Sequence, residues 1–187
     1  MDPHLADNHP QNPVIQHCIT ELALPDDPTV DSVQLRAKSL DAAALLFRAR
    51  QIRQAFRGQL IINDRIDVCL AAGADGVHLP SHRIAPRVLK ARFGSHLCFG
   101  VSCHSLDEVL RAEQEGADYV YLSPIFESPS KPGYGPLLGL RVLEAAARAV
   151  SIPVIALGGI NRANAASCVA VGAAGIASIS LFQSPSD

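Results

Sequence analysis

The phrase Gly73-Ala74-Asp75-Gly76-Val77 decides the fold, because two variants of it recur later, as Gly116-Ala117-Asp118-Tyr119-Val120 and Gly172-Ala173-Ala174-Gly175-Ile176. Each phrase follows a helical pattern and precedes a short apolar run. Glycine directly after the last helical turn is a common stop signal, since it adopts the left-handed conformation at little cost. The repetition therefore indicates one unit, a helix followed by glycine and a strand, that is used several times.

Eight short apolar segments along the chain are predicted to be strands. Helical patterns lie between most of them, notably at Asp41–Phe56, Leu106–Glu115 and Leu140–Val150. Short apolar strands that alternate with helices favour a parallel sheet, and eight of them favour a closed (β/α)₈ TIM barrel of the α/β class. The alternative is an open, flavodoxin-like sheet. The predicted strands are Val14–Thr20, Ser32–Arg36, Gln59–Ile62, Gly76–Leu79, Leu97–Val101, Tyr119–Leu122, Pro153–Leu157 and Gly175–Ile179.

The first and last helices of this barrel are expected to be shortened. The stretch Leu22–Val30 is short and contains Pro25 and Pro28, which disfavour a helix interior. Few residues remain after the eighth predicted strand to form another helix. We therefore expect a single barrel domain over residues 14–182, preceded by a flexible polar tail over residues 1–13.

Composition and charge narrow the class of protein. Of the 187 residues, 48% are hydrophobic and 18% are charged, which is typical of a globular chain with a sizeable core. The formal net charge of -2 gives no general attraction to nucleic acid or to anionic membranes, so neither is an expected partner. No apolar run reaches the roughly 18 residues of a membrane span, and Met1–Pro10 lacks the pattern of a secretory signal. Five cysteines without a C-x-x-C pair indicate reduced thiols and a cytoplasmic location.

The richest polar segment is Ser123–Gly135, which follows the apolar run Asp118–Leu122 directly. It combines serine hydroxyls, Lys131, several prolines and two glycines. Hydroxyl and ammonium groups donate hydrogen bonds to phosphate oxygens, and glycine permits a close approach to the backbone. In a barrel the loops after the strands carry the chemistry, so this loop is a candidate anion site that closes over its ligand. A plain polar surface loop is the alternative.

Strand two ends in alternating polar side chains, at Gln34, Arg36 and Lys38. Alternation places all three on one face, which we predict to be the barrel interior, while Leu35 and Ala37 point outward. Two cations at the mouth of a barrel indicate an anionic ligand, to which Arg36 offers a forked contact and Lys38 a point charge. A solvated pair at a strand end is the alternative.

Two further segments are candidates for metal and phosphate. Asn63 and Asp64 follow strand three, and a carboxylate beside cations and phosphates is how magnesium is usually held. Asp64 has two alternative roles, pairing with Arg65 or capping the next helix. Gly158-Gly159 after strand seven and Ile179-Ser180 after strand eight occupy the place where barrels often bind phosphate on backbone N–H groups. A tight turn is the alternative for the glycine pair.

Histidine and cysteine form no evident nucleophile or zinc pattern. His78 lies inside strand four and is predicted to be a hydrogen-bonded core residue. His82 and His104 lie on loops at the mouth and can exchange protons near neutral pH. Cys103 is adjacent to His104, but adjacent loop residues rarely form a nucleophile–base pair. The spacing of the five cysteines and seven histidines matches no zinc site.

Taken together, these segments resemble the thiamine-phosphate synthase and thiazole tautomerase superfamily, from about Gln34 to Ser180. The resemblance implies a (β/α)₈ barrel and, for the synthase branch, a transferase that joins hydroxymethylpyrimidine diphosphate to a thiazole phosphate in thiamine biosynthesis. Pyrophosphate is the second product of that reaction. The matching phrases are Val33-Gln34-Leu35-Arg36-Ala37-Lys38, Ile61-Ile62-Asn63-Asp64-Arg65, Gly73-Ala74-Asp75-Gly76-Val77-His78-Leu79, Gly100-Val101-Ser102-Cys103-His104-Ser105, Pro124-Ile125-Phe126-Glu127-Ser128-Pro129-Ser130-Lys131-Pro132-Gly133 and Ala156-Leu157-Gly158-Gly159-Ile160.

The resemblance also implies a role for each matching residue. The pyrimidine diphosphate would be held by Gln34, Arg36, Lys38 and Asn63, with a magnesium ion on Asp64. The residues that would meet the diphosphate or close over it are Ser102, Ser128, Ser130 and Lys131, of which Ser102 and Lys131 are the expected catalytic residues. The thiazole phosphate would be held through the backbone of Gly159, Ile179 and Ser180.

The chain departs from the superfamily pattern at two positions. In Pro80-Ser81-His82-Arg83, Arg83 stands where the synthases carry an acid that is a second magnesium ligand, and arginine cannot ligate a metal. Pro124 stands where the tautomerase branch has its catalytic histidine. The alternatives are therefore a thiazole tautomerase-like isomerase with His82 or His104 as acid and base, and a catalytically silent homologue that binds phosphate ligands. The expected partners are small-molecule phosphates, and a homodimer stays open.

Overall fold

A closed barrel of eight parallel strands forms the protein in a computed structural model that describes residues 14–21, 24–128, 133 and 135–183. The strands follow one another around the barrel in chain order, and the first pairs with the last. The predicted barrel is thus confirmed, and the open sheet is wrong. The strands are β1 (Ile15–Thr20), β2 (Ser32–Leu35), β3 (Gln59–Asn63), β4 (Gly76–Leu79), β5 (Cys98–Cys103), β6 (Tyr119–Leu122), β7 (Val154–Leu157) and β8 (Gly175–Ser178). The helices are α1 (Ala42–Ala55), α2 (Ile66–Ala72), α3 (Pro86–Phe93), α4 (Leu106–Gln114), α5 (Gly139–Ala149) and α6 (Ala165–Ala170).

Alternation along each strand divides the side chains between two layers. In β2, Val33 and Leu35 point outward into the main apolar core between the strands and the helices. Gln34 points the other way and lies opposite Ile19 of β1, which belongs to the cluster inside the barrel. That interior cluster is completed by Tyr119, Tyr121, Ile155 and Ala177. The barrel interior is therefore a packed core that carries polar groups as well as apolar ones.

Side-chain caps fix where two of the longer helices begin. Asp41 precedes α1, and its carboxylate accepts a hydrogen bond from the Ala44 N–H at 2.8 Å. Ser105 precedes α4 in the same way and accepts from the Glu108 N–H at 3.2 Å. Such caps satisfy N–H groups that have no partner inside the helix. They place both helices within two residues of the predicted bounds.

The first and last helices are reduced, as the sequence predicts. Within the described residues, no helix lies between β1 and β2 or after β8. Leu24, Val30 and Phe182 cover the outer face of the barrel there instead, with Phe182 only 3% exposed. The Asp26 N–H donates to the Phe182 carbonyl at 3.2 Å and joins the two segments. The loop between β1 and β2 and the residues after β8 thus stand in place of the first and last helices. The predicted tail, residues 1–13, lies outside the described residues.

The repeated phrase has a structural function at the start of every second strand. The backbone N–H of Asp75, Asp118 and Ala174 donates, at 2.9 Å in each case, to a carbonyl in the preceding strand. The acceptors lie near the beginnings of β3, β5 and β7. Each copy therefore sets the register between one strand and the next.

The two aspartates of the repeat add a second anchor. Asp75 accepts from the Leu60 N–H at 2.7 Å and pairs with Arg53 of α1 at 2.6 Å. Asp118 accepts from the Phe99 N–H at 2.8 Å and pairs with Lys90 of α3 at 2.6 Å. Each carboxylate therefore connects a strand to a helix and satisfies a backbone donor.

Among the helices of the described residues, none combines the length and the apolar character that a membrane span requires.

Asp118→Ala is expected to lower the free energy of unfolding by about 1–3 kcal/mol, because it leaves the Phe99 N–H without its acceptor. Urea unfolding followed by circular dichroism measures the loss. The control is Asp67→Ala, which removes only the partner of Arg65 in an exposed pair and should have a much smaller effect. Equal effects of the two substitutions would contradict the anchoring role.

Candidate active site

A cleft of about 460 Å³ opens at the carboxyl ends of the strands. Among the described residues, its polar lining combines the cation of Arg36 with the carboxylate of Glu127, hydroxyl groups and a histidine. Arg36 follows β2, Ser102 lies near the end of β5, and His104 follows that strand. Ser128 belongs to the loop after β6, and Ile179 follows β8. The cleft therefore lies where the carboxyl-end loops of a barrel are expected to carry chemistry.

A second cavity of about 320 Å³ lies beside β2 and β3. Lys38, Asn63, Asp64 and Arg65 line it, together with apolar residues of the outer layer. The prediction that Lys38 lies on the interior face with Gln34 and Arg36 is therefore wrong, because β2 ends at Leu35 and the alternation does not continue to Lys38. Lys38 and Asp64 line the second cavity, whereas Arg36 lines the cleft. The mouth of the barrel divides into two polar sites.

Gln34 joins the interior of the barrel to the second cavity. Its side chain is 1% exposed, and its Nε2 donates to Asn63 Oδ1 at 3.1 Å. The accepting oxygen of Asn63 is thereby engaged, so its amide nitrogen is the group that can donate to a ligand. Among the described residues, Gln34 Oε1 has no hydrogen-bond partner. A buried acceptor of this kind is costly unless a ligand or water satisfies it.

Asp64 adopts a left-handed backbone conformation, with a φ of 59°. Aspartate tolerates this region better than most residues. Its N–H donates to the His78 carbonyl at 2.9 Å, and its Oδ2 accepts from Arg83 Nη2 at 3.1 Å. Arg65 makes its ion pair with Asp67, and no side chain caps α2. The two alternative roles of Asp64 are therefore wrong, and its partner is Arg83.

Ser102 lies in β5 and not on the following loop, because this strand continues to Cys103. The strand prediction that ended at Val101 is wrong by two residues. Ser102 Oγ lies 2.9 Å from His78 Nε2, and His78 Nδ1 lies 3.1 Å from the Tyr119 hydroxyl. Both ring nitrogens of this core histidine are thus paired, as the sequence predicts. Burial lowers the pKa of His78 to about 3, which keeps the ring neutral.

A second buried histidine lies one layer deeper in the barrel. His17 Nδ1 lies 2.8 Å from the Tyr121 hydroxyl, and the ring meets Tyr119 edge-on. Burial lowers the pKa of His17 to about 4, against the opposing attraction of Asp31. The interior therefore holds two neutral histidines and two tyrosines in mutual contact.

His104 projects from the mouth with a defined tautomer. Its Nδ1 lies 2.7 Å from the Ser123 carbonyl, which only accepts hydrogen bonds. Nδ1 must therefore carry a proton, and Nε2 of the neutral ring is an acceptor. The side chain lines the cleft, so this histidine has the geometry of a general acid or base.

The glycine pair after β7 permits the loop after β6 to approach closely. The Phe126 N–H donates to the Gly158 carbonyl at 3.0 Å, and a Cβ on Gly159 would lie 2.7 Å from the Phe126 carbonyl oxygen. Asn164 Nδ2 donates to the Gly159 carbonyl at 2.9 Å. Gly158 lines the cleft, whereas Gly159 and Ser180 are absent from its lining. The pair thus has a clear packing role.

The predicted site residues fall into four groups. Four line the cleft, namely Arg36, Ser102, Ser128 and Ile179. Three line the second cavity, namely Lys38, Asn63 and Asp64. Three line neither, namely Gln34, Gly159 and Ser180. Ser130 and Lys131 lie outside the described residues. Ser123 and Glu127 also line the cleft. Both belong to the predicted anion loop Ser123–Gly135, but the sequence predicted no individual role for either, because a single serine or glutamate on a loop carries no pattern of its own.

A family model described as thiamine monophosphate synthase matches residues 8–182 of the chain. The chain belongs to this family. The resemblance in the sequence is thus confirmed, and with it a transferase with a thiamine-phosphate synthase-like function.

Named relatives agree with the family. The thiamine-phosphate synthase of Methanocella arvoryzae is 41% identical over 162 residues, which is 85% of this chain and 76% of the relative. That of Chloroflexus aurantiacus is 40% identical over 172 residues, or 90% of this chain and 78% of the relative. Among solved structures, the thiamine phosphate pyrophosphorylase of Pyrococcus furiosus superimposes with a TM-score of 0.74 at 30% identity. The match covers 89% of this chain and 86% of that one.

The cysteines of this thiamine-phosphate synthase family member are unsuited to nucleophilic catalysis. Burial raises the pKa of Cys69 to about 11 and that of Cys103 to about 12. Thiols of this kind are almost wholly protonated at neutral pH, and the thiolate is the reactive form. Within the described part of the chain, no three histidine, cysteine or acidic side chains cluster as a metal site. Among the described residues, the groups that the cleft offers for chemistry are Arg36, Glu127, serine hydroxyls and His104.

We expect His17 to make the protein less stable as the pH falls. Its folded pKa of about 4 lies below the ordinary value of 6.5, so between these values the unfolded chain takes up a proton that the folded chain does not. Its contribution is complete above pH 6.5 and is lost progressively toward pH 4, with a total of about 3 kcal/mol. Urea unfolding at several pH values should show a flatter dependence for His17→Asn than for the unaltered protein. Parallel curves would contradict the burial of a neutral imidazole.

Proposed function

We propose that the chain joins hydroxymethylpyrimidine diphosphate to thiazole phosphate and releases pyrophosphate. The observation that carries this proposal is the placement of Arg36 and Ser102 in one cleft, with Lys38 and Asn63 in the adjoining cavity. Two cations, a hydroxyl and an amide then surround the mouth of the barrel, which suits a ligand with several phosphate oxygens. The names of the relatives support the choice of substrates.

The reaction needs a leaving group and no protein nucleophile. The bond between the pyrimidine methylene carbon and the diphosphate oxygen breaks, and the electron pair leaves with the diphosphate. The thiazole nitrogen then donates its lone pair to the resulting pyrimidine cation and forms the new carbon–nitrogen bond. Stabilising the departing charge is therefore the main catalytic task. Burial raises the pKa of Cys103, as it does for the other cysteines. This agrees with a mechanism that uses no thiolate nucleophile.

The proposal assigns a phosphate contact to each of the site residues expected from the sequence. Arg36 makes the forked contact and Lys38 the point-charge contact to the diphosphate. Gln34 acts through Asn63, because its hydrogen bond turns the Asn63 amide nitrogen toward the ligand. Ser128 donates from the loop after β6, with Ser130 and Lys131 of the same loop as further diphosphate contacts and Lys131 as a catalytic cation. The thiazole phosphate binds at Ile179, with the backbone of Gly159 and Ser180 beside it.

Magnesium fits this site only as an ion shared with the substrate. Asp64 offers one carboxylate, and magnesium is commonly held by one or two carboxylates together with substrate phosphates. When bound, the ion would supply positive charge to the leaving diphosphate. Arg83 already lies 3.1 Å from Asp64 and supplies a positive charge of its own at this place. The cavity therefore fits a weakly held ion better than a permanent one.

His104 supports a second candidate function, a metal-independent isomerisation of a thiazole phosphate. Its Nε2 is an acceptor in the cleft, as a general base requires. Such an activity should survive Asp64→Ala, and loss of the activity with Asp64 would exclude it. The third candidate is a silent binder of phosphate ligands, for which calorimetry would show binding of thiazole phosphate or thiamine phosphate without turnover.

The two-substrate assay tests the main proposal. Purified protein with both substrates and magnesium should release pyrophosphate, measured with a coupled phosphate assay, beside a known synthase as positive control. Absence of product at high protein concentration would exclude transferase activity on these substrates. Arg36→Gln should lower kcat/KM by about 100-fold, because a charged contact to the leaving group is lost. Arg92→Gln, an exposed change on α3 outside both cavities, should leave kcat/KM unchanged.

Arg83 should weaken magnesium binding. Arg83→Asp replaces the positive charge beside Asp64 with a carboxylate, so the Kd for magnesium in the presence of pyrophosphate should fall by about tenfold. Arg83→Lys keeps the charge and should change the Kd little. Isothermal titration calorimetry measures both variants. An unchanged or higher Kd for Arg83→Asp would contradict the competition between this arginine and the metal.

A further inference from the structure

The fully buried His78 makes a contact that reaches the cleft. Its Nε2 lies 2.9 Å from the hydroxyl oxygen of Ser102, and Ser102 lines the cleft. On the other side of the ring, Nδ1 lies 3.1 Å from the Tyr119 hydroxyl. Tyr121 stacks on the ring face, with centroids 4.1 Å apart. The imidazole is therefore held on both edges and one face.

A glycine in β5 makes this arrangement possible. His78 pairs with Gly100 across the sheet, and Gly100 pairs in turn with Tyr119. A Cβ on Gly100 would lie 2.5 Å from the Tyr119 hydroxyl and 2.6 Å from His78 Nδ1. The tyrosine thus reaches over β5 through space that any side chain would fill. Three neighbouring strands contribute to the placement of one histidine.

The neutral ring of His78 has one donor and one acceptor nitrogen, so the orientation of the Ser102 proton depends on whether the Tyr119 hydroxyl donates to Nδ1 or accepts from it. The Tyr119 hydroxyl is also hydrogen-bonded to Tyr121. When the Tyr119 hydroxyl donates to Nδ1, Nε2–H donates to the Ser102 oxygen and leaves the serine O–H for the cleft. In the opposite arrangement, Ser102 donates to Nε2 and presents only lone pairs to the cleft. An anionic phosphate accepts hydrogen bonds and therefore selects the first arrangement.

We propose that His78 is a positioning residue, which directs the Ser102 hydroxyl as a donor to the diphosphate in the cleft. This inference rests on the proposed function for the identity of the anion. Tyr119 supports the ring from behind, and neither His78 nor Tyr119 needs to touch the substrate.

Two conservative substitutions separate positioning from packing. The amide of His78→Gln reaches the place of Nε2 and keeps the contact to Ser102, whereas that of His78→Asn reaches only the place of Nδ1 and keeps the contact to Tyr119. We expect His78→Asn to weaken inorganic pyrophosphate binding and kcat/KM by roughly 10- to 100-fold, and His78→Gln by less than about fivefold. His17→Asn is the control for loss of a buried imidazole, because its amide reaches the place of Nδ1 and can keep the contact to the Tyr121 hydroxyl. It should leave pyrophosphate binding unchanged.

A double-mutant cycle with Ser102→Ala gives the decisive readout. If His78 acts through the serine, adding His78→Asn to Ser102→Ala should cause little further loss of pyrophosphate affinity in calorimetry. Full additivity of the two losses would overturn the proposal, as would equal losses for His78→Asn and His78→Gln. Circular dichroism checks the fold of each variant. If His78→Asn does not fold, the other two variants still test the proposal. A loss of pyrophosphate affinity above about tenfold in His78→Gln, or no loss in Ser102→Ala, would count against it.

The pyrophosphate cycle also separates this inference from the proposed function. If the unaltered protein binds pyrophosphate without turning over the two substrates, the transferase proposal fails and the cycle still reports on His78. If the protein turns over and the cycle is additive, only the positioning role fails. Absence of both turnover and pyrophosphate binding would overturn both proposals.

Discussion

Closure of β1 against β8 is the interaction on which the rest of the structure depends. It brings the first and last strands into register, with Ile15 opposite Gly175 and Cys18 opposite Ser178. All strands are parallel, so closure also gathers the segments that follow them at a single rim. Arg36 after β2 and Ile179 after β8 line one cleft only because of this closure, although they are far apart in the chain.

The barrel keeps this closure with a reduced outer layer. Phe182, Leu24 and Val30 cover the outer face at the two places where the described chain has no helix. Asp75 and Asp118 add connections between strands and helices that do not require a longer helix. The smaller outer layer therefore leaves the closed barrel and the cleft at its mouth in place. The family model matches residues 8–182, so the reduced outer layer lies within the range that the family covers.

Patterns of neighbouring residues were sufficient to predict the fold and the polar residues that follow several strands. Apolar runs and glycine stops predicted the strands within two residues, because both signals depend on neighbouring residues alone. The polar residues at the end of β5 predict a loop, since Ser102 lacks the apolar character that marks a strand, whereas the strand continues to Cys103. The sequence did not predict two contacts, that of Asp64 with Arg83 and that of His78 with Tyr119, for a different reason. Both depend on register between strands, which one sequence does not encode locally.

The lack of a side chain at Gly100 has a consequence for how this barrel can evolve. Tyr119 occupies the volume that a side chain at position 100 would need, and its hydroxyl supports His78 from there. The two positions therefore cannot drift independently: a lineage that acquires any side chain at position 100 must first give up the tyrosine ring. Substitutions at these two positions, which are paired on neighbouring strands, should therefore arise as linked changes.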